Sequence, residues 1–172
     1  VIGTNDLSWW VVLVSAIIAG GYSGLGINTA HEMGHKQTKI EQLLAKITLA
    51  VPAYGHFCVE HNRGHHVLVA TPEDPASSRM GESIYAFTLR EIPGTFVRGW
   101  NLEKARLNKQ GKSAWSVHND ILQSYLLSAV LQGSLIYAFG WIMLPFLAVH
   151  NFWAWYQLTS ANYIEHYGLL RE

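Results

Sequence analysis

Apolar residues are gathered into two long uncharged stretches, with a polar middle between them. The first runs from Trp9 to Ala30, WWVVLVSAIIAGGYSGLGINTA, 22 residues without a charge. As a helix rising ~1.5 Å per residue it spans about 33 Å, enough to cross a hydrocarbon core of about 30 Å. Trp9 and Trp10 suit one membrane interface, and Lys36 and Lys39 the other. Gly20 and Gly24 form a small-xxx-small pair that lets another helix approach closely. The stretch is too long for a signal peptide and lacks a basic leader segment. The second stretch covers Ile121 to Ile164, 44 residues interrupted by Pro145. It predicts a hairpin, Ile121–Leu144 going out and Phe146–Ile164 returning. The pattern therefore predicts three transmembrane helices.

The segment Ile40–Val59 is different. Lys46 limits its apolar core to Ile47–Val59, with Pro52, Gly55 and His56 inside it. A run of ~10–14 apolar residues is more often buried, re-entrant or interfacial than spanning. Thr71–Val117 reads as a mixed polar connector: TPEDPASSR is turn-like, and Asn101–Lys112 is a short basic surface helix or loop. The fold class expected is all-α, an integral-membrane helical bundle of about three spans plus one re-entrant or interfacial helix.

Charge sharpens the topology. Of 12 Lys and Arg, eleven lie between Lys36 and Lys112, and the twelfth is Arg171. Bare segments alternating with a basic one fit basic loops kept on the cytoplasmic side. The 12 acidic residues cancel the basic ones, and only 14% of the chain is charged. That composition, 49% hydrophobic, excludes a disordered chain, and the lack of a basic excess argues against a nucleic-acid binder. The lone Cys58 excludes an intrachain disulfide framework and a cysteine-ligated iron–sulfur cluster, and is expected to be a small buried hydrophobe. The chain starts at Val1 rather than Met and stops at Glu172 just after a dense motif. Residues 1–172 are thus expected to be one partial domain.

Nine histidines are the candidate chemistry. His31-Glu32-Met33-Gly34-His35 sits at the basic end of the first predicted helix. Residues four apart share a helix face, so both imidazoles can reach one metal, although HExxH is also the zinc-protease signature with Glu32 as base. In Glu60-His61-Asn62-Arg63-Gly64-His65-His66, His61 and His65 are expected to share a face. His66 is rotated by about 100° from His65, so one of these two is expected to serve one ion while its neighbour reaches another. Three histidines in six residues have little use in packing, because an unpaired buried imidazole is costly. In Asn162-Tyr163-Ile164-Glu165-His166-Tyr167-Gly168, His166 is either a sixth ligand or an interface histidine among belt tyrosines. The predicted topology brings these three clusters to one face of the membrane. Six imidazoles exceed the four ligands of a structural zinc site, and a nitrogen-rich set with open positions suits iron and oxygen. Glu32, Glu60, Asp74 and Glu165 are candidate acceptors that would orient the imidazole N–H groups. His56, His118 and His150 lack paired spacing and read as packing histidines.

HxxxH followed by HxxxHH resembles the integral-membrane non-haem diiron desaturases and hydroxylases. NTAHEMGHK, EHNRGHHVLVATPEDPASSR and NYIEHYGLLR are most similar to the motifs of the alkane 1-monooxygenase branch. The resemblance implies terminal hydroxylation of n-alkanes with O2, two irons as cofactor, and electrons from rubredoxin. It implies a multi-pass protein of the bacterial inner membrane with its metal face in the cytoplasm. The ligands it implies are His31, His35, His61, His65, His66 and His166. That family also has earlier transmembrane helices and a third histidine box, HxxHH in form, beyond the NYxEHYG element. This chain contains neither, so the isolated stretch is expected to be inactive. Competing readings are a xylene-type methyl hydroxylase or a fatty-acid hydroxylase or desaturase of the same superfamily. More distant are a membrane zinc protease and a scaffold or transporter that binds metal incidentally.

Overall fold

The computed structural model describes residues 7–171, so Val1 and Glu172 lie outside it. Among the described residues every regular element is helical. They are α1 (Trp9–Gly34), α2 (Lys39–Ala50), α3 (Phe57–Glu60), a π-helical turn (His61–His65), α4 (His66–Leu68), α5 (Ile84–Lys109), α6 (Asp120–Phe139) and α7 (Met143–His166). The chain packs as two compact units. One runs up to Tyr54 and includes Ser124–Gln157; the other holds Gly55–Gln123 and the chain from Leu158 on.

In the first unit, α1 buries Val12, Ala16, Gly20, Ile27 and Ala30, an i, i+4 stripe dominated by small residues. Its other faces leave Trp9, Trp10, Val14, Ile18, Tyr22 and Leu25 exposed. A helix apolar all round, packed on one stripe only, is suited to lipid rather than water. A Cβ on Gly20 would stand 2.7 Å from the carbonyl oxygen of His150 and 3.1 Å from the Cβ of Trp153. Gly20 therefore lets α1 and α7 touch, as its small-residue spacing predicts. His150 is buried here, donating from Nδ1 to Asn151 Oδ1 (2.9 Å) and accepting at Nε2 from Ser23 Oγ (2.8 Å). Gln132 on α6 donates to the same Asn151 Oδ1 (3.1 Å) and to the carbonyl of Val51 (3.0 Å). His150 is thus the satisfied packing histidine expected of it.

The hairpin differs from its prediction. The break is at Gly140, in the left-handed region at φ +81°, and not at Pro145. Pro145 sits instead in the first turn of α7. A first-turn proline loses no intrahelical bond because its N–H would be orphaned anyway. Among the described residues, two helices are long and apolar enough to cross a membrane, Trp9–Gly34 and Asp120–Phe139. The third predicted span is not among them. Its helix α7 has 24 residues, but His150, Asn151, Gln157 and Asn162 lower its hydropathy. The segment expected to be re-entrant is the 12-residue α2, capped by Thr38, followed by turns and α3.

The second unit revises the polar connector. Thr71–Val117 holds the 26-residue α5, and the basic stretch Asn101–Lys112 is mostly its last turns. Ser83 caps it by accepting from Ala86 N–H at 3.3 Å. The PEDPASS loop is tied to α5 by Arg90, which donates to the carbonyls of Pro75 and Ser77 at 3.0 Å each and to both Glu82 oxygens at 2.9 and 2.7 Å. Tyr163 hydroxyl donates to the Glu82 carbonyl (2.6 Å), and Gly81 N–H to Tyr167 hydroxyl (3.0 Å). Gly94 allows α5 to meet this loop, since a Cβ there would lie 2.7 Å from Pro75 Cβ.

Candidate metal centre

The first histidine box lies in the last turns of α1. The four-residue spacing puts His31 and His35 on one face, Nε2 to Nε2 at 2.9 Å. In the neutral pair one ring nitrogen must donate and the other accept. A metal ion would take a lone pair from both, so the donor set fits a metal. Glu32 does not bind His31 closely: its carboxylate is 3.5 Å from Nδ1 and largely exposed.

The second box departs from its expected geometry. His61–His65 is a π-helical turn, which closes from i to i+5. Residues five apart therefore face one another, and His61 meets His66, Nε2 to Nε2 at 2.8 Å. His65 still stacks near His61, with ring centroids 5.2 Å apart, but it turns its ring edge elsewhere. His61 and His65 thus share a face as expected, but His66, expected to be rotated away, also meets His61 because of that single wider turn. Gly64 makes room for it, because a Cβ there would stand 2.7 Å from Arg98 Nε.

His65, buried, donates from Nδ1 to Asp74 Oδ2 at 2.8 Å. Its ring centroid lies 4.8 Å from that of His166, edge to face. His166 in turn donates from Nδ1 to the Asn162 carbonyl at 2.9 Å. Both rings have their Nδ1 proton committed, which leaves the lone pair on Nε2. Two buried or half-buried imidazoles with fixed tautomers suit metal binding as the carboxylate–histidine–metal arrangement does.

The acidic candidates divide. Asp74 is 1% exposed and takes Ser77 Oγ–H on Oδ2 (2.6 Å) and Ala76 N–H on Oδ1 (3.1 Å) as well as His65. Burial alone would raise its pKa, but the His65 and Ser77 hydrogen bonds and the charge of Arg98 hold it well below the usual carboxylate range. Glu60, 3% exposed, goes to Arg98 rather than to a histidine. Burial pushes its carboxyl up against the opposing pull of Arg98. Glu165 is exposed at the end of α7. Among the three histidines outside the HxxxH-type spacing, burial pushes His56 down to about 4, so it is neutral, whereas His118 is exposed rather than packed.

Two residues of this site carry no motif. Arg98 binds Glu60 through Nε (2.8 Å) and Nη2, and Asp74 Oδ1 through Nη2 at 2.7 Å. Glu91, fully buried, accepts from Thr159 Oγ1 (2.5 Å) and Asn162 Nδ2 (2.8 Å). Desolvation, helped by the charges of Glu60 and Asp74 and opposed by those hydrogen bonds, pushes its carboxyl up to about 7. The available signal was spacing: seven residues are about two helical turns, so Glu91 and Arg98 share a face of any helix through them.

A family model described as fatty acid desaturase matches residues 7–172. The chain is 53% identical over 171 residues to alkane 1-monooxygenase of Ectopseudomonas oleovorans, covering 99% of this chain and 43% of that protein. It is 54% identical over 171 residues to alkane 1-monooxygenase of Pseudomonas putida, covering 99% and 42%. The xylene/toluene monooxygenase hydroxylase component of Pseudomonas putida is more distant, 24% identical over 147 residues, covering 83% of this chain and 39% of that protein. The chain spans less than half the length of these curated relatives.

Proposed function

The chain belongs to the fatty acid desaturase family, and on that premise we propose that it is the histidine-bearing part of an alkane hydroxylase. The reaction is conversion of an n-alkane to its 1-alkanol with O2. The ligands are His31, His35, His61, His65, His66 and His166, and the metal is iron, two ions per site. Rubredoxin is the electron donor. The protein sits in the bacterial inner membrane with the metal face in the cytoplasm, a placement supported by the eleven Lys and Arg between Lys36 and Lys112.

The observation that carries this reading is the tautomer arrangement: His65 and His166 spend Nδ1 on Asp74 and on the Asn162 carbonyl, and so offer Nε2. Held there, two irons would supply O2 activation, with two electrons from rubredoxin and two protons balancing the oxygen atom that ends as water. The residues of this chain do the rest. Asp74 keeps the His65 proton on Nδ1, and the last turn of α7 does the same for His166. The apolar helices exclude water and admit a chain that has no hydrogen-bonding handle. Selection among alkanes then rests on pocket length, at ~1–3 kcal/mol per methylene.

The test uses the full-length parent protein in lipid nanodiscs with rubredoxin and its reductase. Octane, xylene and a fatty acyl substrate are offered in parallel, and metals are counted by mass spectrometry. Two irons per chain, 1-octanol as the main product, and loss of both in His65→Ala are the expected results. One zinc, or full octane turnover in His65→Ala, would overturn the proposal. Preference for xylene or the acyl substrate would move the chain to another branch of its family.

A further inference from the structure

Helix α5 carries no histidine and no member of the family motifs described above, yet it is the element to which the second histidine group is fastened. Gly99 brings it against the backbone before the π turn, where an added Cβ would lie 3.2 Å from Glu60 Cβ and 3.5 Å from His56 Cβ. From this face Arg98 reaches Glu60 and Asp74, and Asp74 holds His65. Two turns earlier, Glu91 takes the side chains of Thr159 and Asn162, and the Asn162 carbonyl holds His166. We propose that α5 is the positioning element of the metal centre, with Arg98 and Glu91 acting as positioning residues for His65 and His166 respectively.

Hydrogen-bond chemistry separates this from ordinary packing. Asp74 has two oxygens, and Arg98 and Ala76 N–H occupy Oδ1, so that Oδ2 is left to His65 and Ser77. Arg98 Nη1 has no hydrogen-bond partner among the described residues, so the guanidinium spends its bonding on the two acids alone. Without Arg98, two buried carboxylates face each other uncompensated, and Asp74 is free to turn from His65. A lysine restores charge but not the planar fork that bridges Glu60 to Asp74. At the other end, Glu91 holds Asn162 and Thr159, about one and two turns before His166, by its two acceptor oxygens; glutamine keeps one acceptor and leucine keeps none. The seven-residue interval sets these two anchors about 10 Å apart along α5.

The inference rests on the proposed function, and its test is built to fail separately. Cobalt(II) replaces iron as a spectroscopic probe in the full-length parent protein, and its affinity and ligand-field absorption are recorded for Arg98→Gln, Arg98→Lys, Glu91→Leu and Glu91→Gln. Circular dichroism checks folding. Loss of a direct partner of a metal ligand costs about 10–100-fold in metal affinity, and Arg98 and Glu91, one contact further out, are expected at the lower end of that range. Arg98→Gln and Glu91→Leu are expected to show that loss with altered bands, while Arg98→Lys is intermediate and Glu91→Gln is near wild type. If Arg98→Gln fails to fold, Arg98→Lys and the Glu91 pair decide. Folded variants that bind cobalt with wild-type affinity and spectrum would overturn the inference. A wild-type protein that binds no cobalt would instead defeat the proposed metal site itself.

Discussion

Neighbouring glycines on one helix provide a test of opposite sign. Gly20 and Gly21 both lie in the middle of α1, so helix propensity favours alanine over glycine equally at each, by up to about 1 kcal/mol. The surroundings differ. A Cβ on Gly21 meets nothing within 4 Å, whereas a Cβ on Gly20 stands 2.7 Å from a backbone oxygen of α7 and 3.1 Å from the Cβ of Trp153. Neither contact is the loose end of a side chain, so α7 must shift for Gly20→Ala to fit. Overpacking of this kind costs about 1–3 kcal/mol. Gly24→Ala falls between, because the group in its way is the movable amide of Gln157, which now bonds the Gly20 carbonyl at 3.1 Å. Thermal melting of the three variants of the full-length protein in one detergent should rank Gly21→Ala at or above wild type, then Gly24→Ala, then Gly20→Ala. Equal midpoints for Gly20→Ala and Gly21→Ala would refute the claimed approach of α1 to α7.

Glu91 makes stability depend on pH, because burial raises its pKa from 4.5 to about 7. Its stabilising contribution is complete below about pH 4.5 and is lost as pH rises through 7; at 1.36 kcal/mol per unit the change is of the order of 3 kcal/mol. Glu91→Gln should therefore flatten the decline in melting midpoint between pH 5 and 8, and an unchanged slope would contradict the assignment. Thr38 caps α2, accepting from Glu41 N–H at 3.3 Å and donating to Glu41 Oε2 at 2.5 Å. Thr38→Ala should cost about 1 kcal/mol, with Thr38→Ser retaining most of it, as read from the same melts.

Much of this protein was legible in one dimension because its strongest constraints are local. A spanning helix must be apolar over ~20 consecutive residues, so α1 is visible as a run. Histidines four apart must share a helix face, so the His31–His35 pair follows from spacing alone. Three things were decided only by folding. The turn at Gly140 displaced the one predicted at Pro145, because proline is tolerated in a first turn and a left-handed φ favours glycine. A π turn brought His66 to His61 as well as His65, because one extra residue per ring shifts which side chains face each other. The partners of His65 and His166 were fixed by a helix that reads as a polar connector. Arg98 lies 38 residues from Glu60 and Glu91 lies 71 from Asn162, and no local periodicity relates residues so far apart. Sequence spacing therefore marks which residues can bind, whereas the tautomer and aim of each ring depend on buried charges that only tertiary packing brings within hydrogen-bonding distance.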